Sequence, residues 1–206
     1  MEILPFDSKR KDEIFHHALL VLKGGGIVSY LTESYYALGV IATDRLALEK
    51  LFRIKERPKD KPLPIITGDR RALMSVVKSI PRHAEGLMKK YWPGPLTLVF
   101  EARDTVPELL TGGTGKVAVR IPGQGIALEM ARYVALPITA TSANISGLSP
   151  AVDAFSVRNY FDDAIDMIID CGKAPGGRPS TIIDVTVAPH RILRQGRIII
   201  EEGHGT

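Results

Sequence analysis

The hydrophobic positions of this chain switch repeatedly between a helical period and short unbroken runs. Ile14, Phe15, Ala18, Leu19 and Leu22 recur at helical spacing behind Asp7 or Ser8, either of which can cap a helix. The Gly24-Gly25-Gly26 run stops that helix and leads into an apolar strand over 27–31. A phosphate cradle normally follows a strand and opens a helix, so these glycines are not read as one. Asp44 caps a second helix with Leu48, Leu51 and Phe52 on one face. The pattern then predicts a strand over 63–67, an Asp69-capped helix to about 78 and a helix from Pro81 to Tyr91. The rigid corner Trp92-Pro93-Gly94-Pro95 precedes a strand over 96–100. A strand over 117–121, a helix over 126–133, a strand over 137–141, a helix over 152–161 and a strand over 165–169 follow. Three closely spaced strands, near 181–187, 190–194 and 197–200, come last. Interleaved strands and helices predict an α/β fold with a mostly buried sheet, and the close C-terminal strands predict antiparallel pairs that make it mixed. Without a repeat or a convincing linker, residues 1–206 read as one domain.

Composition changes this picture little. Hydrophobic residues at 45% and charged residues at 24% are ordinary globular usage, and 206 residues can bury a sizeable core without staples. The single cysteine, Cys171, excludes an intrachain disulfide and fits a reducing compartment; it reads as a small buried apolar residue. A formal charge of +4 permits nucleic acid or phosphorylated substrates as partners without demanding them. The N-terminus lacks the apolar run of a signal peptide, and no run has transmembrane length. These features predict a cytoplasmic protein with no membrane partner.

Candidate chemistry begins with the segment 55–63, where Lys55, Arg57, Lys59 and Lys61 fall at every second position. Prolines at 58, 62 and 64 exclude a helix interior and favour extended backbone, in which residues two apart share a side. Such a segment can aim its cations at a pyrophosphate or triphosphate, or it can be a solvated charged loop. Four polar clusters sit where apolar strands run out: Thr32 to Tyr36, Arg120, Thr141 to Ser146, and Ser180-Thr181. Ligands of α/β proteins gather outside strand ends, so these clusters are candidates for one cleft. Ser142 and Asn144 can offer a hydroxyl and an amide to a ligand, or bond their own backbone in an ordinary turn. Arg120 can grip a carboxylate or phosphate bidentately, or pair at the surface. The five histidines show no metal-ligand spacing with one another or with Cys171, and no Walker, dinucleotide-binding or Gly-x-Ser-x-Gly signature is present.

Taken together, these clusters resemble the YrdC-like domain family, whose best-known members are threonylcarbamoyl-AMP synthases. The resemblance runs from about Gly24 to Gly196. The family's Lys-x-Arg motif stands as Lys55-Glu56-Arg57, and its Ser-x-Asn motif as Ser142-Ala143-Asn144. Trp92 to Thr97, Val117 to Arg120, Ser180 to Asp184 and Leu193 to Gly196 match further segments in order. The resemblance implies a twisted mixed α/β sheet enclosing a large basic cleft. It also implies the reaction of L-threonine, bicarbonate and ATP to threonylcarbamoyl-AMP and pyrophosphate, with Mg2+ riding on ATP. The product serves the threonylcarbamoyl modification of tRNA adenosine through downstream transfer proteins, and family domains are also similar in binding double-stranded RNA.

Carried over by position, the resemblance implies that Lys55, Arg57, Ser142, Asn144, Ser149 and Arg194 contact ATP. It implies that Thr32, Arg120 and Thr181 hold threonine, with Arg120 on the carboxylate. Lys59 and Lys61 join the ATP set from the alternation argument, and Lys55 and Arg57 are the catalytic pair. The chain departs from the family at Ala37, where glycine is usual, and in a loop after Gly147 that is one residue short. The wording around Ala37 leans towards the YciO-like branch, an RNA- or nucleotide-binding alternative. The intact Lys-x-Arg and Ser-x-Asn pair favours the synthase. The extra C-terminal domain of longer synthases is absent, so the chain reads as a short form.

Overall fold

The structure, a computed structural model, describes residues 1–200. Strand β1 (Glu2–Pro5) leads through a single 3-10 turn into helix α1 (Lys11–Lys23), with Asp7 accepting the Lys9 amide at 2.9 Å. The hairpin β2 (Val28–Leu31) and β3 (Tyr36–Gly39) follows. Helix α2 (Arg45–Ile54) starts at Asp44, whose carboxylate caps the Ala47 amide, and ends at Lys55. Then come β4 (Ile65–Ile66), α3 (Arg70–Met74), α4 (Arg82–Tyr91), β5 (Leu96–Glu101), α5 (Glu108–Thr111) and β6 (Lys116–Arg120). Helix α6 (Ile126–Val134), β7 (Ile138–Thr139), β8 (Thr141–Ser142), α7 (Ala154–Phe161), β9 (Met167–Asp170), β10 (Thr181–Asp184) and β11 (Arg191–Arg194) complete the order.

The α/β class and mixed pairing match expectation, but the strands divide between two sheets. One runs β1-β9-β2-β3-β8 and the other β11-β10-β5-β6-β4-β7. The predicted strand over 137–141 is the joint between them. Its first half, β7, pairs with β4, and its second half, β8, pairs with β3. Ala140 separates the halves, donating its amide to Pro64 O at 2.9 Å. The larger apolar cluster joins both sheets, with Leu48, Leu51 and Phe52 of α2 packed among Leu38, Ile65, Leu98 and Val119. The second cluster packs α1 and α6 against the first sheet. Strand period decides the sharing: Ile168 belongs to the larger cluster, while Met167 and Ile169 belong to the second.

Three sequence expectations differ. The Asp69-capped helix stops at Met74, because Val77 is drawn into a bridge with Ala102 and Lys78 donates to Glu101 O. No strand forms over 197–200; Ile198 O accepts the Thr181 hydroxyl, and Ile200 O accepts Gln195 Nε2. Strand β1 and the four-residue α5 were not anticipated, being too short for a period to register. Among the described residues, no helix is long and apolar enough to cross a membrane.

Candidate active site

Helix α2 delivers Lys55 into the protein rather than to its surface. The residue is 1% exposed, and its Nζ donates to Ser142 O and Asn144 O, both at 2.6 Å, and to Asn144 Oδ1 at 3.3 Å. Asn144 Oδ1 also accepts the Ser142 hydroxyl at 2.6 Å, while its Nδ2 donates to Leu148 O. Ser146 donates its amide back to Lys55 O at 2.9 Å. The Lys-x-Arg and Ser-x-Asn motifs are therefore one hydrogen-bonded unit, with the ammonium at its centre. Burial first, and the neighbouring Arg57 charge second, push Lys55 down to about 7 from an ordinary 10.5.

The extended alternation expected across 55–61 is overturned. Glu56 has φ 49°, and the Lys61 amide bonds Pro58 O at 3.1 Å, so the chain turns twice where a straight segment was expected. Arg57 closes this turn, donating Nε to Lys61 O at 3.2 Å and Nη2 to Pro62 O at 2.9 Å. Lys59 and Lys61 are exposed, and no described hydrogen bond brings them to the Lys55 unit. Gly112, with φ 58°, backs the turn: an added Cβ would stand 2.6 Å from Asp60 O.

A second group of residues surrounds Arg120, the last residue of β6. Its Nη1 donates to Glu33 Oε2 at 2.8 Å, with the two side chains only 13% and 17% exposed. Glu33 stands in the tight turn between β2 and β3. Thr32 builds that turn, donating Oγ1 to Tyr35 O at 2.7 Å and accepting the Ser34 and Tyr35 amides at 3.3 Å each. Because Ala37 pairs with Ser142 in the β3–β8 ladder, this turn lies just beyond the Ser-x-Asn unit. Arg194 completes the group. Burial first, then the Arg120 charge, lower its pKa. It donates Nη2 to Ser180 O at 2.8 Å and to Ser180 Oγ at 3.3 Å.

Thr181 faces the other way. It is fully buried, and its hydroxyl donates to Ile198 O and accepts the Gly196 amide, so its one proton is already spent inside the fold. Strand alternation turns its neighbour Ser180 towards Arg194, where it also bonds Thr97 Oγ1 at 2.8 Å. The structure thus brings Ser180, Thr97 and Glu33 to this group; the sequence placed Ser180 and Glu33 in polar clusters at strand ends but gave none of the three a role of its own. Only the strand phase at 180–181 was available to choose Ser180 over Thr181. Ser149 is exposed, and its carbonyl accepts the Tyr160 hydroxyl at 3.0 Å. Cys171 is half-buried, and burial pushes its thiol up to about 12, away from the reactive thiolate.

The site offers cations and hydroxyls from both sheets, donors suited to orienting anions. A profile of the Sua5_yciO_yrdC family, described as telomere recombination, matches residues 20–196. The chain belongs to this family. Among relatives in the family, it is 42% identical over 181 residues to the threonylcarbamoyl-AMP synthase of Pyrococcus abyssi. That match covers 88% of this chain but 53% of the relative, so the chain spans about half of that protein's length. A crystal structure of P. abyssi Sua5 complexed with L-threonine matches with a TM-score of 0.89 at 39% identity, over 95% of this chain and 58% of that one. The E. coli YciO structure matches with a TM-score of 0.82 at 25% identity, over 95% of both chains.

Proposed function

We propose that this chain is an L-threonylcarbamoyladenylate synthase, converting L-threonine, bicarbonate and ATP to threonylcarbamoyl-AMP and pyrophosphate. The observation that carries this reading is the buried Lys55 unit, which makes one site of two motifs 87 residues apart in sequence. A module that only presented a basic surface to RNA would gain nothing from burying its cation on Ser142 and Asn144.

Bicarbonate gives up water to supply carbon dioxide, which the threonine amine takes up as a carbamate with loss of a proton. The carbamate oxygen then attacks the α-phosphorus of ATP as the bond to the β-phosphate oxygen breaks, so the reaction is an adenylyl transfer. No protein nucleophile is required. The task is to hold two anions together and neutralise the departing pyrophosphate. Arg57 spends Nε and Nη2 on the turn at 61–62 and keeps its other edge for phosphate. Lys55 holds the Ser142–Asn144 segment in shape beside it. Arg194 and Ser180 extend the anion site towards Arg120, whose remaining donors suit the threonine carboxylate. Lys59 and Lys61 then serve at most as outer charges that draw ATP in. Mg2+ bound with ATP would neutralise phosphate charge. The charged groups are the cations Lys55, Arg57, Arg120 and Arg194, with the carboxylate of Glu33 engaged by Arg120 and the Gly123 amide, so the phosphates themselves are the fitting ligands for the metal. The labile product would pass to tRNA threonylcarbamoyl-transfer proteins.

The test is pyrophosphate release from ATP with and without threonine and bicarbonate, in the wild type and in Arg57→Ala. Release that needs both co-substrates and falls at least tenfold in the variant is expected, since a charge-assisted phosphate contact is worth roughly 1.5–3 kcal/mol. Absence of release under every condition, together with steeply salt-dependent binding of duplex RNA, would favour the YciO-like reading.

A further inference from the structure

Glu33 makes two contacts that the reaction as described does not use. One carboxylate oxygen, Oε2, accepts Arg120 Nη1 at 2.8 Å; the other, Oε1, accepts the Gly123 amide at 2.6 Å. The partners lie 87 and 90 residues away, so this side chain ties the β2–β3 turn of one sheet to the end of β6 and the loop after it in the other. The tie is tight. A Cβ on Gly123 would stand 3.2 Å from Oε1, which leaves no room for a side chain there without moving the carboxylate. The turn that carries Glu33 is itself fixed by the Thr32 hydroxyl. Arg120 in turn has only one edge engaged. Its Nε and Nη2 make no hydrogen bond among the described residues, and Arg194 places a second cation near it.

We propose that Glu33 is the positioning residue for Arg120. Its carboxylate holds the Nη1 corner of the guanidinium, offsets the repulsion from Arg194, and leaves the opposite edge aimed at the carboxylate of the amino-acid substrate. The inference rests on the reading of Arg120 as the threonine-carboxylate group. A guanidinium with a free side-chain torsion would sample many directions, and a fixed one loses less freedom when it binds. Glu33 acts through Arg120 and touches neither ATP nor the reacting atoms. Its removal is therefore expected to appear in the affinity for threonine.

The experiment compares Glu33→Gln, Arg120→Gln and the double variant by threonine titration at saturating ATP and by ATP titration at saturating threonine. Glu33→Gln should raise the KM for threonine roughly tenfold, the scale of one charge-assisted hydrogen bond, with kcat and the KM for ATP nearly unchanged. On the Arg120→Gln background it should add nothing, because the group it positions is gone. Gly123→Ala, which displaces the same carboxylate without removing it, should raise the threonine KM in the same direction and serves if Glu33→Gln does not fold. A raised threonine KM in Arg120→Gln with wild-type values in Glu33→Gln, or a lowered KM in Glu33→Gln, would overturn the positioning role while leaving Arg120 on the carboxylate. An unchanged threonine KM in Arg120→Gln would remove that reading of Arg120, and the proposal with it.

Discussion

Lys55 concentrates the conflict on which the site depends. An ammonium buried to this degree loses its hydration, and the desolvation, with Arg57 behind it, brings its pKa down to about 7. The acceptors around it, Ser142 O, Asn144 O and Asn144 Oδ1, favour the charged form. The sign of the pH dependence follows. The cation is present below about pH 7 and is lost as pH rises through that value, so the phosphate site loses positive charge on the alkaline side. Binding of a non-hydrolysable ATP analogue should therefore weaken by several-fold between about pH 6 and about pH 8, on the scale of one charge lost near a polyphosphate. Calorimetric titration across that interval checks this, and in Lys55→Met the limb should be absent. Affinity that stays flat in the wild type would mean that the carbonyl cage outweighs burial.

At the scale of elements, the phase of one strand separates function from stability. In β10 and the residue before it, Ser180 turns to Arg194 and Thr97, while Thr181 turns inward to Ile198 O and the Gly196 amide. Ser180→Ala should cut turnover several-fold with only a small fall in melting temperature, since it removes the hydrogen bonds to Arg194 and to the buried Thr97 hydroxyl at the site's edge. Thr181→Val leaves a buried amide without its acceptor, which costs about 1–3 kcal/mol. The melting temperature should then fall by about 2–12 °C, with turnover kept at low temperature. Parallel thermal melts and pyrophosphate assays read both. The opposite pattern would restore Thr181 as the ligand-facing residue. Sequence legibility divides along the same line. The caps at Asp44 and Asp69 are local side-chain-to-amide bonds that the sequence marks directly, whereas Asp7 caps only the 3-10 turn before α1 and the Asp153 cap of α7 was not read from the sequence. The choice between 180 and 181 depends on which side of the strand meets Arg194 and Thr97, and no local signal carries that.

At the scale of the whole molecule, Thr139 is where the two sheets are bound together. Its hydroxyl donates to Leu38 O at 3.1 Å and accepts the Val40 amide at 3.0 Å, and its carbonyl accepts the Tyr30 hydroxyl at 2.8 Å. Its own strand pairs with β4 in the other sheet. Thr139→Val keeps the shape and the carbonyl but strands the buried Val40 amide, which should cost about 1–3 kcal/mol. Urea unfolding followed by circular dichroism and by fluorescence of Trp92, which packs on Phe100 in the second sheet, should move to lower denaturant together. Separation of the two transitions would show that the sheets do not depend on this joint.

The sequence alone determined the α/β class, most element positions, the caps at Asp44 and Asp69 and the identity of the motif residues, because each is written in local spacing and side-chain type. The resemblance carried by Lys55-Glu56-Arg57 and Ser142-Ala143-Asn144 pointed to the right family. Only the tertiary structure decided that the strands form two sheets joined through 138–142, and that the chain turns at 56–61 instead of running straight. It alone placed Lys55 inside the protein and gave Arg120 a partner in Glu33. These are long-range outcomes. They arise where desolvation, packing and hydrogen bonding between segments 87 or more residues apart override the local preference of the backbone.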